Sequence, residues 1–227
     1  NRTLDLRRNV DYLFIESDLL MQTAIDRRRR VYAEDDEARW FFKNLIGELN
    51  SRIDLVESYL GCDNLLPLLK CDPTYFQTVL IVLDGDVKGD DGNIKPNKLS
   101  KIPLPLRSRL SNIICLPELV RPEDVFYNYL ISLPHDHAYW RDAEPWCITW
   151  DAIRENGPNS PQYQNRGAER DRAKAWFQDY LEAFESSHLF THWKNDNDPS
   201  VQEFVLKFIQ AYNSVADKQG MTKITRN

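Results

Sequence analysis

The run Val79-Leu80-Ile81-Val82-Leu83 constrains this chain more than any other feature. It is continuous and apolar, and it stops at Asp84-Gly85-Asp86. A strand without polar alternation offers neither face to water, so it belongs inside a parallel sheet covered by helices on both sides. It is also the longest uninterrupted apolar stretch in the chain. A bilayer-spanning helix needs roughly 20 such residues, so no membrane span is expected.

The remaining periodicities supply neighbours for that strand. Val31-Tyr32-Ala33 reads as a short strand cut off by Glu34-Asp35-Asp36-Glu37. Trp40, Phe41, Leu45, Ile46 and Leu49 then recur at helical spacing over 37–50. Ile53–Val56 reads as a further strand, Gly61 marks a turn, and Asn64–Leu69 reads as a short helix. Gly89–Ser100 is polar and rich in Gly, Asn, Pro and Lys, the composition of a mobile loop. Ile113-Ile114-Cys115-Leu116 is another buried strand, stopped by Pro117, and Pro122 opens a helix through about residue 132. Strand and helix alternate, which predicts an α/β fold with a parallel sheet flanked by helices. Residues 134–168 look irregular. Two helices, over 168–186 and 199–216, form a C-terminal helical extension, with Trp176 and Trp193 as core residues. Residues 1–26 read as a helix or a strand–helix remnant without a partner in the chain, as the tail of a preceding domain would.

Composition narrows the class. With 42% hydrophobic and 28% charged residues the chain is globular rather than disordered. The first residues, NRTLDLRRNVDYLF, have neither the apolar core nor the small-residue cleavage site of a signal peptide. Cys62, Cys71, Cys115 and Cys147 lack CxxC spacing, so reduced, buried thiols in a cytoplasmic protein are expected. A net charge of −6 gives no overall basic field. Basic residues do cluster locally, at Arg27–Arg30 and at Lys88, Lys95, Lys98, Lys101, Arg107 and Arg109. The plain alternative for both clusters is solvated surface charge.

Carboxylates carry the chemical signal. Ligands of open α/β sheets bind outside the carboxyl ends of the strands, and Asp84 and Asp86 occupy that end of the strongest strand. Gly85 between them permits a sharp backbone turn. Paired aspartates suit a hard cation such as Mg²⁺, although the same pattern also makes an ordinary polar turn. Glu34 ends another strand. If the two strands are neighbours, the three carboxylates converge, and a metal would relieve their repulsion. The competing reading makes Glu34–Glu37 an acidic helix start. Glu123 opens a helix from the same sheet end and is a candidate for a second metal or for plain helix-terminal charge. His135 and His137 lack a third ligand and read as loop residues.

A strand followed by Glu and a helix, an intervening Gly, then an apolar strand ending in DGD resembles the TOPRIM domain of topoisomerases, primases and OLD-family nucleases. The segments VYAEDDEARWFFKNLI, VLIVLDGDV and NIICLPELVRPEDVFYNYL most resemble the C-terminal TOPRIM domains attached to ABC-type ATPases in bacterial OLD-like and Septu-like defence proteins. The resemblance covers about residues 29–133 and, more weakly, the tail to 216. It departs from the family at Asp35, where the family has Gly after the glutamate. Glu16, in LFIESDLL, also follows apolar residues but has no suitable Gly and strand after it.

The resemblance implies a preceding ATPase domain whose tail is residues 1–28, a TOPRIM domain over 29–133, and an irregular and helical extension over 134–227. It implies Mg²⁺ or Mn²⁺ held by Glu34, Asp84 and Asp86 with Glu37 and Glu123 completing the shells. In such two-metal sites the ions lie on the order of 4 Å apart. Lys174, in RGAERDRAKAWF, corresponds to the lysine that OLD-family nucleases use downstream, for charge on the scissile phosphate; otherwise it is an exposed helical lysine. DNA, or alternatively RNA, would approach along the basic loop 88–109 through phosphate contacts. No GxxxxGK[ST] occurs, so the ATPase of such a system would act in cis or as a separate subunit. A partner nuclease and a homo-oligomer are the other implied associations. Three functions follow as expectations: a metal-dependent DNA endonuclease, a non-catalytic assembly module, and a phosphotransferase with Asp84 as nucleophile.

Overall fold

The computed structural model describes residues 28–107 and 110–225. The expected N-terminal tail, with Glu16 and Arg27, and Arg109 of the basic loop lie outside these residues. The first strand, β1, spans Arg29–Ala33, and helix α1 spans Asp36–Ile46. Asp35 caps α1, its side chain accepting the Ala38 amide at 3.0 Å. Helical spacing runs on to Leu49, but the α-helix stops at Ile46. Gly47 takes φ of 53°, and a 3₁₀ turn occupies Gly47–Arg52.

Strand β2 (Ile53–Val56) is followed by helix α2 (Cys62–Cys71), then β3 (Leu80–Leu83) and β4 (Ile113–Cys115). All pairings are parallel, in the order β2-β1-β3-β4. Strand β3 is central and buried along its whole length, which is why it carries no polar residue. Its side chains alternate between two cores. Leu80 and Val82 face the cluster that holds α1 and the C-terminal helices, whereas Ile81 and Leu83 face Leu65, Leu66 and Leu69 of α2. The start of β4 is tied to the segment before β3 by Asn112. Its buried Nδ2 donates to the carbonyls of Phe76 (2.6 Å) and Val79 (2.8 Å).

Topology fixes where a ligand can enter. The chain leaves β1 toward β2 with α1 on one face. It then crosses back over β1 to β3 with α2 on the other face. Right-handed crossovers in opposite directions demand helices on opposite faces. The order therefore reverses between β1 and β3, and the loops leaving their carboxyl ends diverge into a crevice.

Beyond β4 come α3 (Pro122–Ser132), α4 (Glu169–Ser186), α5 (Leu189–Asp196) and α6 (Asp198–Lys218). The stretch read as irregular, 134–168, contains short helices at Tyr139–Ala143 and Trp150–Glu155 and 3₁₀ turns between and after them. The polar loop after β3 likewise contains one helical turn, Pro96–Leu99, and a bridge from Lys88 to Ile94. The extension shares one core with the sheet: Val31, Phe41 and Val82 belong to the same cluster as Trp176, Trp193, Phe208 and Val215. All four cysteines are free as expected, but burial holds only for Cys62; Cys71 and Cys147 are exposed and Cys115 is half-buried. Among the described residues, no helix is long and apolar enough to cross a membrane.

Candidate functional site

Register brings the acidic residues together. Ala33 of β1 lies opposite Val82 of β3, so Glu34 and Asp84 leave the sheet at the same edge. The Glu34 side chain turns across the crevice. Its Oε1 accepts the Asp84 amide at 2.9 Å and its Oε2 accepts the Cys62 amide, at the start of α2, at 2.6 Å. Glu34 thus spans the point where the strand order reverses.

The backbone turns at Gly85 as expected, entering a 3₁₀ turn over Gly85–Val87, but Gly85 is not among the positive-φ glycines. What it supplies is space. A Cβ at this position would come within 2.5 Å of the Glu118 carbonyl oxygen and 2.7 Å of those of Pro117 and Val120. The turn after β4 therefore packs its backbone directly onto the DGD segment. That turn includes Glu118 at φ of 61°, and it leads into α3, whose first turn delivers Glu123 to the same cluster.

Two of these carboxylates each keep one oxygen without a donor. Asp84 is 3% exposed and Glu123 is 1% exposed. Asp84 Oδ1 and Glu123 Oε1 are both buried without a hydrogen-bond partner. Arg121 Nε stands 3.7 Å from Glu123 Oε1, close enough for attraction and too far for a hydrogen bond. An unsatisfied buried acceptor costs roughly 1–3 kcal/mol, and more when charged.

The electrostatics agree. Burial, then the charges of Glu34, Asp35, Glu123 and Asp86, raise the Asp84 carboxyl well above the ordinary range. Burial also raises Glu34, against the two amides that stabilise its ionised form, with Asp86 and Asp35 adding to the rise. Glu123 is pushed up to about 7, chiefly by burial. This cluster resists holding negative charge and would relax on gaining a cation.

Asp35 and Glu37 take a different course. Lys174 of α4 bonds to the Asp35 carboxylate and lies 3.3 Å from Glu37 Oε2; Gln178 donates to Glu37 Oε1 at 2.6 Å. Burial would raise Asp35, but Lys174 outweighs it and holds the carboxyl low. Arg170, one helical turn earlier and about half exposed, stands 3.6 Å from Asp35. Glu37 is thus turned to α4, and Lys174 lies at the edge of the cluster bonded to acids. Asp86 is exposed at the mouth.

The described cations of the loop after β3 all meet protein acceptors. Lys98 and Lys101 pair with Asp63 at 2.7 and 2.6 Å. Lys88 donates to the Leu116 carbonyl at 2.6 Å, Lys95 to the Asp86 carbonyl at 2.8 Å and Arg107 to the Ile102 carbonyl at 2.8 Å. His137 faces Asp196 at 3.3 Å, and His135 packs on the ring of Trp150. They share no ligand position.

Arg121, Arg170 and Gln178 escaped the sequence reading. Arg170 was legible one turn before Lys174; nothing local marks the others. Among the described residues no three His, Cys, Asp or Glu side chains already stand in a coordinating arrangement. The fit to a divalent cation rests instead on hard oxygen donors, the two orphaned buried oxygens, and the mutual repulsion around them. No family model matches the chain, and no curated protein or solved structure matches it.

Proposed function

We propose that the crevice between β1 and β3 is the site of a divalent-cation-dependent phosphodiesterase of TOPRIM type, acting as a DNA endonuclease. One observation carries this reading. Asp84 and Glu123 present buried, unpartnered carboxylate oxygens at the reversal point of a parallel sheet, beside Glu34. Arg121 and Lys174 offset part of the Glu123 charge, but neither orphaned oxygen receives a hydrogen bond, and a hard cation would occupy that place.

Asp84, Glu123 and the exposed Asp86 are the residues that would hold Mg²⁺ or Mn²⁺. The ion would supply Lewis-acid polarisation of the phosphate and a more acidic bound water. Glu34, fixed by two backbone amides, would orient the attacking water. Hydrolysis joins the water oxygen to phosphorus and breaks the bond to the leaving sugar oxygen, which takes up a proton. Arg170, about half exposed beside Asp35, would counter phosphate charge, while Arg121 is bonded to Asp124 and Lys174 fixes Asp35 and Glu37. In this proposal the chain works in the cytoplasm beside an ABC-type ATPase, as in OLD-like anti-phage systems.

The test is nicking of supercoiled plasmid with Mg²⁺ or Mn²⁺. Asp84→Ala should abolish it while leaving the circular dichroism spectrum intact. Full nicking by a folded Asp84→Ala protein sinks the assignment.

One observation favours a second reading, an assembly module without catalysis. Lys174 is bonded to Asp35 and Glu37 rather than left for a phosphate. Mn²⁺ titration separates the two readings, because only the enzyme requires saturable binding that Asp84→Ala removes.

A further inference from the structure

The loop after β2 is fastened to the segment that carries Glu34 at both ends. Ser58 Oγ donates to the Ala33 carbonyl at 3.0 Å, and the Cys62 amide donates to Glu34 at 2.6 Å. Between these anchors stands Tyr59, 74% exposed. Its ring is backed by a cation: the guanidinium carbon of Arg39 lies 5.1 Å from the ring centroid. Arg39 is itself buried, its nitrogens bonded to the Asp36 carboxylate and the Ser58 carbonyl. The ring is therefore held from behind with much of its surface in water.

A chain extends at most about 3.6 Å per residue, which keeps Tyr59 within about 11 Å of Cys62, whose amide bonds the Glu34 carboxylate. Measured along the axis of a duplex, the phosphates of one strand recur about every 3.4 Å, so a span of about 11 Å covers only a few nucleotides. A base on Tyr59 and a phosphate in the crevice can therefore belong to the same short segment. The surroundings favour a base over an apolar protein side chain. Tyr59 has Ser58, Arg39 and Asp36 around it rather than a contiguous apolar patch, and a cation behind a ring strengthens its stacking with an electron-rich base.

Resting on the phosphodiesterase reading, we propose that Tyr59, clamped on Arg39, stacks an unpaired base next to the scissile phosphate. Single-stranded or locally unpaired nucleic acid is then the substrate class. A duplex keeps its bases inside the stack and cannot use the platform without extruding one.

The probe is a phosphorothioate-linked single strand carrying a fluorescent adenine analogue, titrated with the full chain in Mg²⁺. Wild type and Tyr59→Trp should quench the analogue. Tyr59→Leu, which still covers Arg39, should lose the quench and bind on the order of 10- to 100-fold more weakly. Affinity for a matched duplex should stay unchanged, and so should the melting temperature. Absence of quenching by the wild type, equal quenching by Tyr59→Leu, or a parallel loss of duplex affinity overturns the proposal. Plasmid nicking is read separately. A chain that quenches without nicking keeps the platform and loses the nuclease reading; a chain that nicks while Tyr59→Leu cleaves single strands at the wild-type rate loses the platform alone.

Discussion

Glu123 shows how burial at one residue becomes a property of the protein. Its carboxyl is pushed up to about 7 from an ordinary value of 4.5, so the folded state binds a proton that the unfolded state has released. For a raised carboxyl, the stability present below the unfolded value is lost as pH rises through the folded one. Asp84 and Glu34 shift in the same direction. The metal-free chain should therefore lose stability between about pH 4.5 and 7, by on the order of 3 kcal/mol from Glu123 alone. Added Mn²⁺ should raise the melting temperature more on the alkaline side of that window than on the acid side. Thermal melts across pH, with and without chelator, check both statements; a metal-free stability that rises through the window would refute them. The acidity of this site was legible in Asp84, Asp86 and Glu34 as residue types at strand ends. Which oxygens stay unpaired was not, because that depends on amides contributed by Cys62 and Asp84 and on the distance from Arg121.

At the scale of elements, Phe126 of α3 joins four helices. Its ring lies 5.2 Å from those of Trp40 and Phe41 on α1, 5.9 Å from Phe177 on α4, and 6.5 and 5.8 Å from Phe190 and Trp193 on α5. Phe126→Ala should cost about 3–5 kcal/mol in denaturant unfolding, because rings held from several sides cannot collapse into the cavity. A loss near that of an exposed residue would show that these helices are not packed as described. Strands β2 and β3 and helix α3 were readable almost to the residue, since β-branched runs and Pro122 act locally. The stretch 134–168 was not. Its helices are too short for a period to register, and contacts hold them in place: Trp140 Nε1 donates to the Pro134 carbonyl and Trp150 Nε1 to that of Leu133. The end of α1 was misread because the apolar period continues to Leu49 while the backbone turns at Gly47.

Over the whole molecule, the extension after α3 is part of the fold rather than an appendage. Phe204 and Phe208 of α6 pack edge-on against Phe42 of α1, and the cluster they belong to includes Val31 and Val82 of the sheet. A chain ending at Leu133 would lose α4, α5 and α6 and expose the apolar side chains of the sheet, α1 and α3 that they cover. Such a truncation should show no cooperative thermal transition by calorimetry and should bind a hydrophobic dye; a sharp transition would make the first part a self-sufficient domain.

The sequence by itself determined that β3 is a fully buried strand and that acids terminate it and β1, because an unbroken apolar run and a charged stop act on the nearest residues alone. It also carried the α/β class through the alternation of periods 2 and 3.6. Only the tertiary structure decided that β1 and β3 are neighbours with the order reversing between them, that α4 brings Lys174 to Asp35, and that Gly85 is needed for room. Each of these depends on segments far apart in the chain meeting in one register, and local preferences hold no record of such meetings.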